Sequence, residues 1–199
     1  MPHWLPENCT GCSLCWTYCP DSALPPTAQS VSSFLRTAID TCREEGIGMI
    51  QMQRVIDPLA KLADRLIAGD EMNRYTTMGS LLQDAFTQLL ERMAPQENIR
   101  ETLEEEFQQI NSLLETYPVS RTEPFFDTPY KRDKRGHLLS IALNPLSCTG
   151  CGLCVEVCPE QAFEWTDQTT ERLTKCRQHR QFQLTLPEVS NNQIDSYIS

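Results

Sequence analysis

Four apolar stripes at helical spacing fill the middle of the chain. Val31, Phe34, Leu35, Ala38, Ile39 and Cys42 form the first, and Gly46 follows where a helix stop belongs. Met52, Val55, Ile56, Leu59, Leu62, Leu66 and Ile67 form the second, ended by Gly69. Pro58 predicts a kink in that helix, or a restart with Asp57 as its cap. The third comprises Leu81, Leu82, Ala85, Phe86, Leu89, Leu90 and Met93. After Pro95 come Ile99, Leu103, Phe107, Ile110 and Leu114, stopped by Pro118. Four amphipathic helices with short connections predict an antiparallel bundle. An even number of antiparallel helices returns the chain to the end it left. Glu104, Glu105 and Glu106 read as a solvated face of the last helix, and Cys42, on an apolar stripe, as a buried structural thiol.

Outside this segment the pattern changes. HLLSIALN (137–144) and AFEWT (162–166) read as strands, with shorter cues at WLPE and SALPP near the start. These cues frame two cysteine-rich loops. Residues 9–24, CTGCSLCWTYCPDSAL, align without gaps to residues 148–163, CTGCGLCVEVCPEQAF, at an offset of 139, with nine of the sixteen positions identical. A repeated metal loop predicts two metal centres.

The spacing selects the metal. Structural zinc sites draw two ligands from each of two separated short loops, whereas here three thiols two residues apart form one tight loop. Such a loop can cap three iron corners of a cubane, with Gly11 and Gly150 letting the backbone turn closely around sulfide. Pro20 and Pro159, after the last cysteines, suit a chain leaving in a new direction. In two-cluster ferredoxins the fourth cysteine of such a run ligates the other cluster. That rule assigns Cys9, Cys12, Cys15 and Cys158 to one 4Fe–4S cluster, and Cys148, Cys151, Cys154 and Cys19 to the second. Trp16 and Val155 are equivalent across the repeat and read as shields of sulfur from water.

The expected fold is therefore α+β: a bacterial two-cluster ferredoxin-like core interrupted by an all-α helical bundle. Residues 1–27 and 137–166 form the core, 28–118 the insertion, 119–136 a linker and 167–199 a polar C-terminal tail.

Composition narrows the setting. Ten cysteines would suit a secreted disulfide scaffold, but the chain is too long and too helical for one. No secretory signal opens it, and no apolar run approaches the ~20 residues of a membrane span. The expectation is a cytoplasmic protein whose thiols bind metal. A net charge of −10 argues against nucleic acid. The insertion carries eight basic and fifteen acidic side chains, while YKRDKR (130–135) makes the linker slightly basic. Cys176 sits in a polar tail and reads as a free thiol. His3, His137 and His179 lack partner spacing, and GIGMIQ (46–51) lacks the third glycine of a dinucleotide fingerprint. No catalytic acid–base constellation, phosphate loop, thiamine motif or flavin motif is present, so no catalytic residue is assigned.

NPLSCTGCGLCVEVCP and CWTYCPDSAL resemble the cluster loops of the 2-oxoacid:ferredoxin oxidoreductases, the pyruvate:ferredoxin oxidoreductase group. The resemblance implies a ferredoxin-like domain or subunit that takes electrons from thiamine diphosphate-dependent chains and passes them to a ferredoxin or flavodoxin acceptor. The 128 residues between Cys19 and Cys148 exceed what a simple ferredoxin needs. An independent ferredoxin-like carrier is the alternative, and a zinc-stapled structural adaptor a third.

Overall fold

The computed structural model describes residues 1–70 and 72–188. In chain order its elements are β1 (Pro2–Trp4), a short 3-10 turn, α1 (Leu14–Thr17), β2 (Pro26–Gln29), α2 (Val31–Glu44), α3 (Ile50–Ala68), α4 (Met78–Met93), α5 (Glu97–Leu114), a π turn at Glu123–Asp127, α6 (Thr128–Asp133), β3 (Leu138–Ile141), α7 (Leu153–Glu156), β4 (Phe163–Trp165) and α8 (Thr170–Thr185). Helices with small sheets make the class α+β. The chain divides into two compact units: Met1–Gln29 with the residues from Pro118 onward, and Ser30–Tyr117. Among the described residues no helix is long and apolar enough to cross a membrane.

The second unit is built from the four stripes. Ser30 caps α2 by accepting the Ser33 N–H at 3.2 Å, and Thr77 caps α4 in the same way through Ser80. Phe34, Leu35, Met52, Leu59, Leu81, Leu82 and Ile110 are buried where α2 to α5 face one another. Phe86 stacks on Phe107 with ring centroids 3.9 Å apart, adding aromatic contact to the area removed from water. Met93, the last residue of its stripe, is exposed at the end of α4.

Two local expectations need correction. Pro58 does not restart α3 with Asp57 as a cap: the helix runs unbroken from Ile50 to Ala68. Pro58 and Arg54 both lie on its exposed side, so the carbonyl deprived of a donor meets water. Asp57 instead pairs with Arg36 at 2.8 Å. Glu106 is not solvated. It is buried, and its carboxylate accepts the N–H groups of Ile50 (3.1 Å), Gln51 (3.3 Å) and Met52 (2.7 Å). Met49 has no capping side chain, so the start of α3 is capped from α5, with a negative charge at the positive end of the helix dipole.

In the first unit, two antiparallel ladders repeat one another. β1 pairs with β4 (Pro2↔Trp165, Trp4↔Phe163) and β2 with β3 (Pro26↔Ile141, Ala28↔Leu139). Adding the repeat offset to Pro2 and subtracting it from Trp165 gives Ile141 and Pro26, so both ladders have one register. The bonds beside them repeat too: Leu5 N–H donates to Ala162 O, and Asn144 N–H to Ala23 O, each at 2.8 Å.

The stretch expected as a linker, 119–136, carries the π turn and α6 and buries Val119, Thr122 and Phe126. Ser120 exchanges backbone bonds of 2.7 and 3.0 Å with Leu139, on the side of β3 away from Ala28. The polar tail forms α8, capped by Thr169 and anchored through Gln183, whose side-chain amide donates to Pro25 O at 2.8 Å. Residues 189–199 lie outside the described residues.

Replacing Glu106 with alanine is expected to cost about 2 kcal/mol, the scale of charge-assisted bonds to a buried helix end. Urea unfolding followed by helical circular dichroism measures it, and a loss below about 0.5 kcal/mol would remove the capping role. Asp64 provides a pH test. Burial pushes its carboxyl from 3.8 up to about 7, and Oδ1 has no hydrogen-bond partner. Between those values the folded chain holds a proton that the unfolded chain has lost, so this contribution is full below pH 4 and disappears as pH rises through 7. Relative to wild type, Asp64→Asn should gain thermal stability between pH 5 and 8; parallel melting profiles would contradict this.

Candidate metal centres

Both cysteine loops turn through left-handed backbone at the same places. Gly11 (φ 78°) and Ser13 (φ 71°) in the first match Gly150 (φ 74°) and Gly152 (φ 87°) in the second. Each loop then enters a one-turn helix, α1 or α7, which buries its third cysteine, Cys15 or Cys154. A second reversal follows at Ser22 (φ 49°) and Gln161 (φ 51°). It brings the N–H of Ala23 to 3.3 Å from Cys19 Sγ, and the N–H of Ala162 to 3.1 Å from Cys158 Sγ. These two donors escaped sequence reasoning because they are backbone groups, although the Ala identity in the repeat marked the position.

The turns bring the eight cysteines together in two sets. Cys9, Cys12 and Cys15 line a cavity with Cys158, and Trp16, Ala162 and Phe163 complete its apolar wall. Cys148, Cys151 and Cys154 line another with Cys19, beside Ala23, Leu24 and Leu143. Asp21 and Glu160, equivalent in the repeat, also touch the cavities, and Asp21 accepts the Thr149 hydroxyl at 2.6 Å. Cys42 lies in the helical unit, buried on α2, and lines neither cavity. Cys176 on α8 packs against the core that includes both loops.

Burial, followed by the charge of neighbouring thiols, pushes Cys15 up to about 12 and Cys154 up to about 11; burial also raises Cys9 and Cys176. A cation must displace these protons before the sulfurs can act as ligands. Among the described residues no group of His, Cys, Asp or Glu is spaced around a single ion. Four sulfurs around an apolar-walled cavity fit a polynuclear iron–sulfur group, the natural companion of soft thiolate donors.

The equivalent glycines differ in surroundings, which generates a test. A Cβ on Gly11 would meet Phe125, Pro124 and Thr122 at 3.2–3.3 Å, while a Cβ on Gly150 would meet nothing within 4 Å. Gly150→Ala should therefore cost only backbone strain, about 1–2 kcal/mol, and Gly11→Ala that strain plus crowding. Lower iron retention and a lower melting temperature are expected for Gly11→Ala, and equal losses would contradict the packing argument.

The 4Fe-4S binding domain family matches residues 2–24 and 141–164. Pyruvate-flavodoxin oxidoreductase of Rhodospirillum rubrum is 36% identical over 75 residues, 34% of this chain and 6% of that protein. The mitochondrial pyruvate dehydrogenase [NADP(+)] of Euglena gracilis is 44% identical over 48 residues, 24% of this chain and 3% of that protein. The chain thus spans a small fraction of the curated relatives it matches. No solved structure is significantly similar. In two segments 139 residues apart the chain matches the 4Fe–4S binding domain family, and over part of its length it resembles the pyruvate oxidoreductases.

Proposed function

We propose that this chain is a two-cluster electron relay within a 2-oxoacid oxidoreductase. Cys9, Cys12, Cys15 and Cys158 hold one 4Fe–4S cluster, and Cys148, Cys151, Cys154 and Cys19 hold the other. The observation that carries this reading is the composition of the cavities: each is lined by three cysteines of one run and the fourth of the other. The clusters would supply one-electron exchange. The chain's own residues bind them, exclude water with apolar walls, and fix the crossing ligands through the Ala23 and Ala162 N–H groups. The helical insertion between the loops, with its excess of acidic side chains, gives a larger thiamine-dependent partner a surface to dock on, and a ferredoxin or flavodoxin takes the electron onward.

Anaerobically reconstituted chain is expected to bind about eight irons. Cys158→Ser should damage the cluster held by Cys9, Cys12 and Cys15; damage confined to the Cys148 loop would mean local ligation. Mixing the protein with a thiamine-dependent 2-oxoacid oxidoreductase core, its substrate and coenzyme A should bleach the visible absorbance. Clusters that stay oxidised with every such core, yet are reduced rapidly by an unrelated enzyme, would make the chain an independent carrier.

A further inference from the structure

The two loops differ in one polar atom. Under the repeat offset Trp4 corresponds to Leu143, and both side chains are buried. Trp4 is 7% exposed, and its buried Nε1 faces the Cys9 sulfur without a hydrogen bond of good geometry to any protein atom. Interiors rarely leave an indole N–H in that state, since the lost hydration is uncompensated. Cys15 and Cys9 share its apolar cluster, and its ladder partner Phe163 lines the first cavity. Leu143, on the wall of the second cavity, has no donor to give.

We propose that the indole N–H of Trp4 donates a hydrogen bond to a sulfur of the cluster held by Cys9, Cys12, Cys15 and Cys158, and so raises that cluster's reduction potential above its twin's. This rests on the two-cluster reading. Reduction adds one electron, and hence negative charge, to the cluster, so a donor aimed at its sulfurs stabilises the reduced form more than the oxidised form. No bond in the chain is made or broken. An electron shared between the two centres then finds its lower-energy resting place at the first.

The test is a potentiometric titration of the full, anaerobically reconstituted chain, with dithionite as reductant and electron paramagnetic resonance as readout. Wild type should show two distinct potentials. Trp4→Phe keeps the ring and removes the donor; the higher potential should fall by the equivalent of a threefold to tenfold change in the reduced-to-oxidised ratio, roughly 30 to 60 mV, while the lower stays in place. Unmoved potentials with about eight irons bound, or equal shifts in both, would overturn the role of Trp4 alone. An iron count near four or zero in wild type sinks the two-cluster reading itself, and this inference with it. If Trp4→Phe does not retain its iron, a chain carrying Trp16→Phe and Trp165→Phe leaves Trp4 as the remaining tryptophan of three. With ¹⁵N in the indole ring, its reduced form should show nitrogen hyperfine coupling by pulsed resonance, and absence of that coupling is decisive against the proposal.

Discussion

Each cavity takes three thiols from one loop and a fourth from a loop 139 residues away. Neither cavity is lined by one loop alone, so the rest of the first unit has to hold the two at a fixed offset. The paired ladders do this. Pro2↔Trp165 and Pro26↔Ile141 are the same pairing seen from each half of the repeat. A slip of one residue in either ladder would turn every side chain to the opposite face and carry Cys158 or Cys19 away from its cavity. Buried residues on the ladders, Trp4, Ala28, Leu139 and Phe163, oppose such a slip because each would have to leave the core.

The cysteine runs, their pseudo-symmetry and the four helical stripes were legible in the sequence, because each depends on local spacing. What was not legible depends on contacts between distant residues. Glu106 looks like part of an acidic run until α3 begins beside it without a cap of its own. Pro58 looks like a break until its neighbouring carbonyl is found on the wet side. The segment α8 is polar almost throughout and buries only Phe182 and Gln183, so it lacks the apolar stripe by which a helix announces itself. Residues 119–136 read as a linker on charge, yet Phe126 is fully buried and Arg121 pairs with Asp127 at 2.6 Å.

The near-identity of the two loops makes their differences informative. Equivalent glycines meet crowded space in one loop and open space in the other, and equivalent sequence positions carry Trp16 and Phe163 against Val155 and Leu24. A duplicated motif begins with two equal environments, and side chains that differ between the halves make them unequal without touching a ligand. The backbone donors to sulfur, from Ala23 and Ala162, remain matched to within 0.2 Å.

Leu139 lies between Ala28 and Ser120, one on either side of its strand. At a strand spacing of ~4.8 Å, the points where the chain departs for the helices and returns from them stand about 10 Å apart. A gap that short can be closed by a few residues of turn as readily as by a folded unit. The helical segment is therefore a cassette. A change in its length need not disturb the register of either ladder.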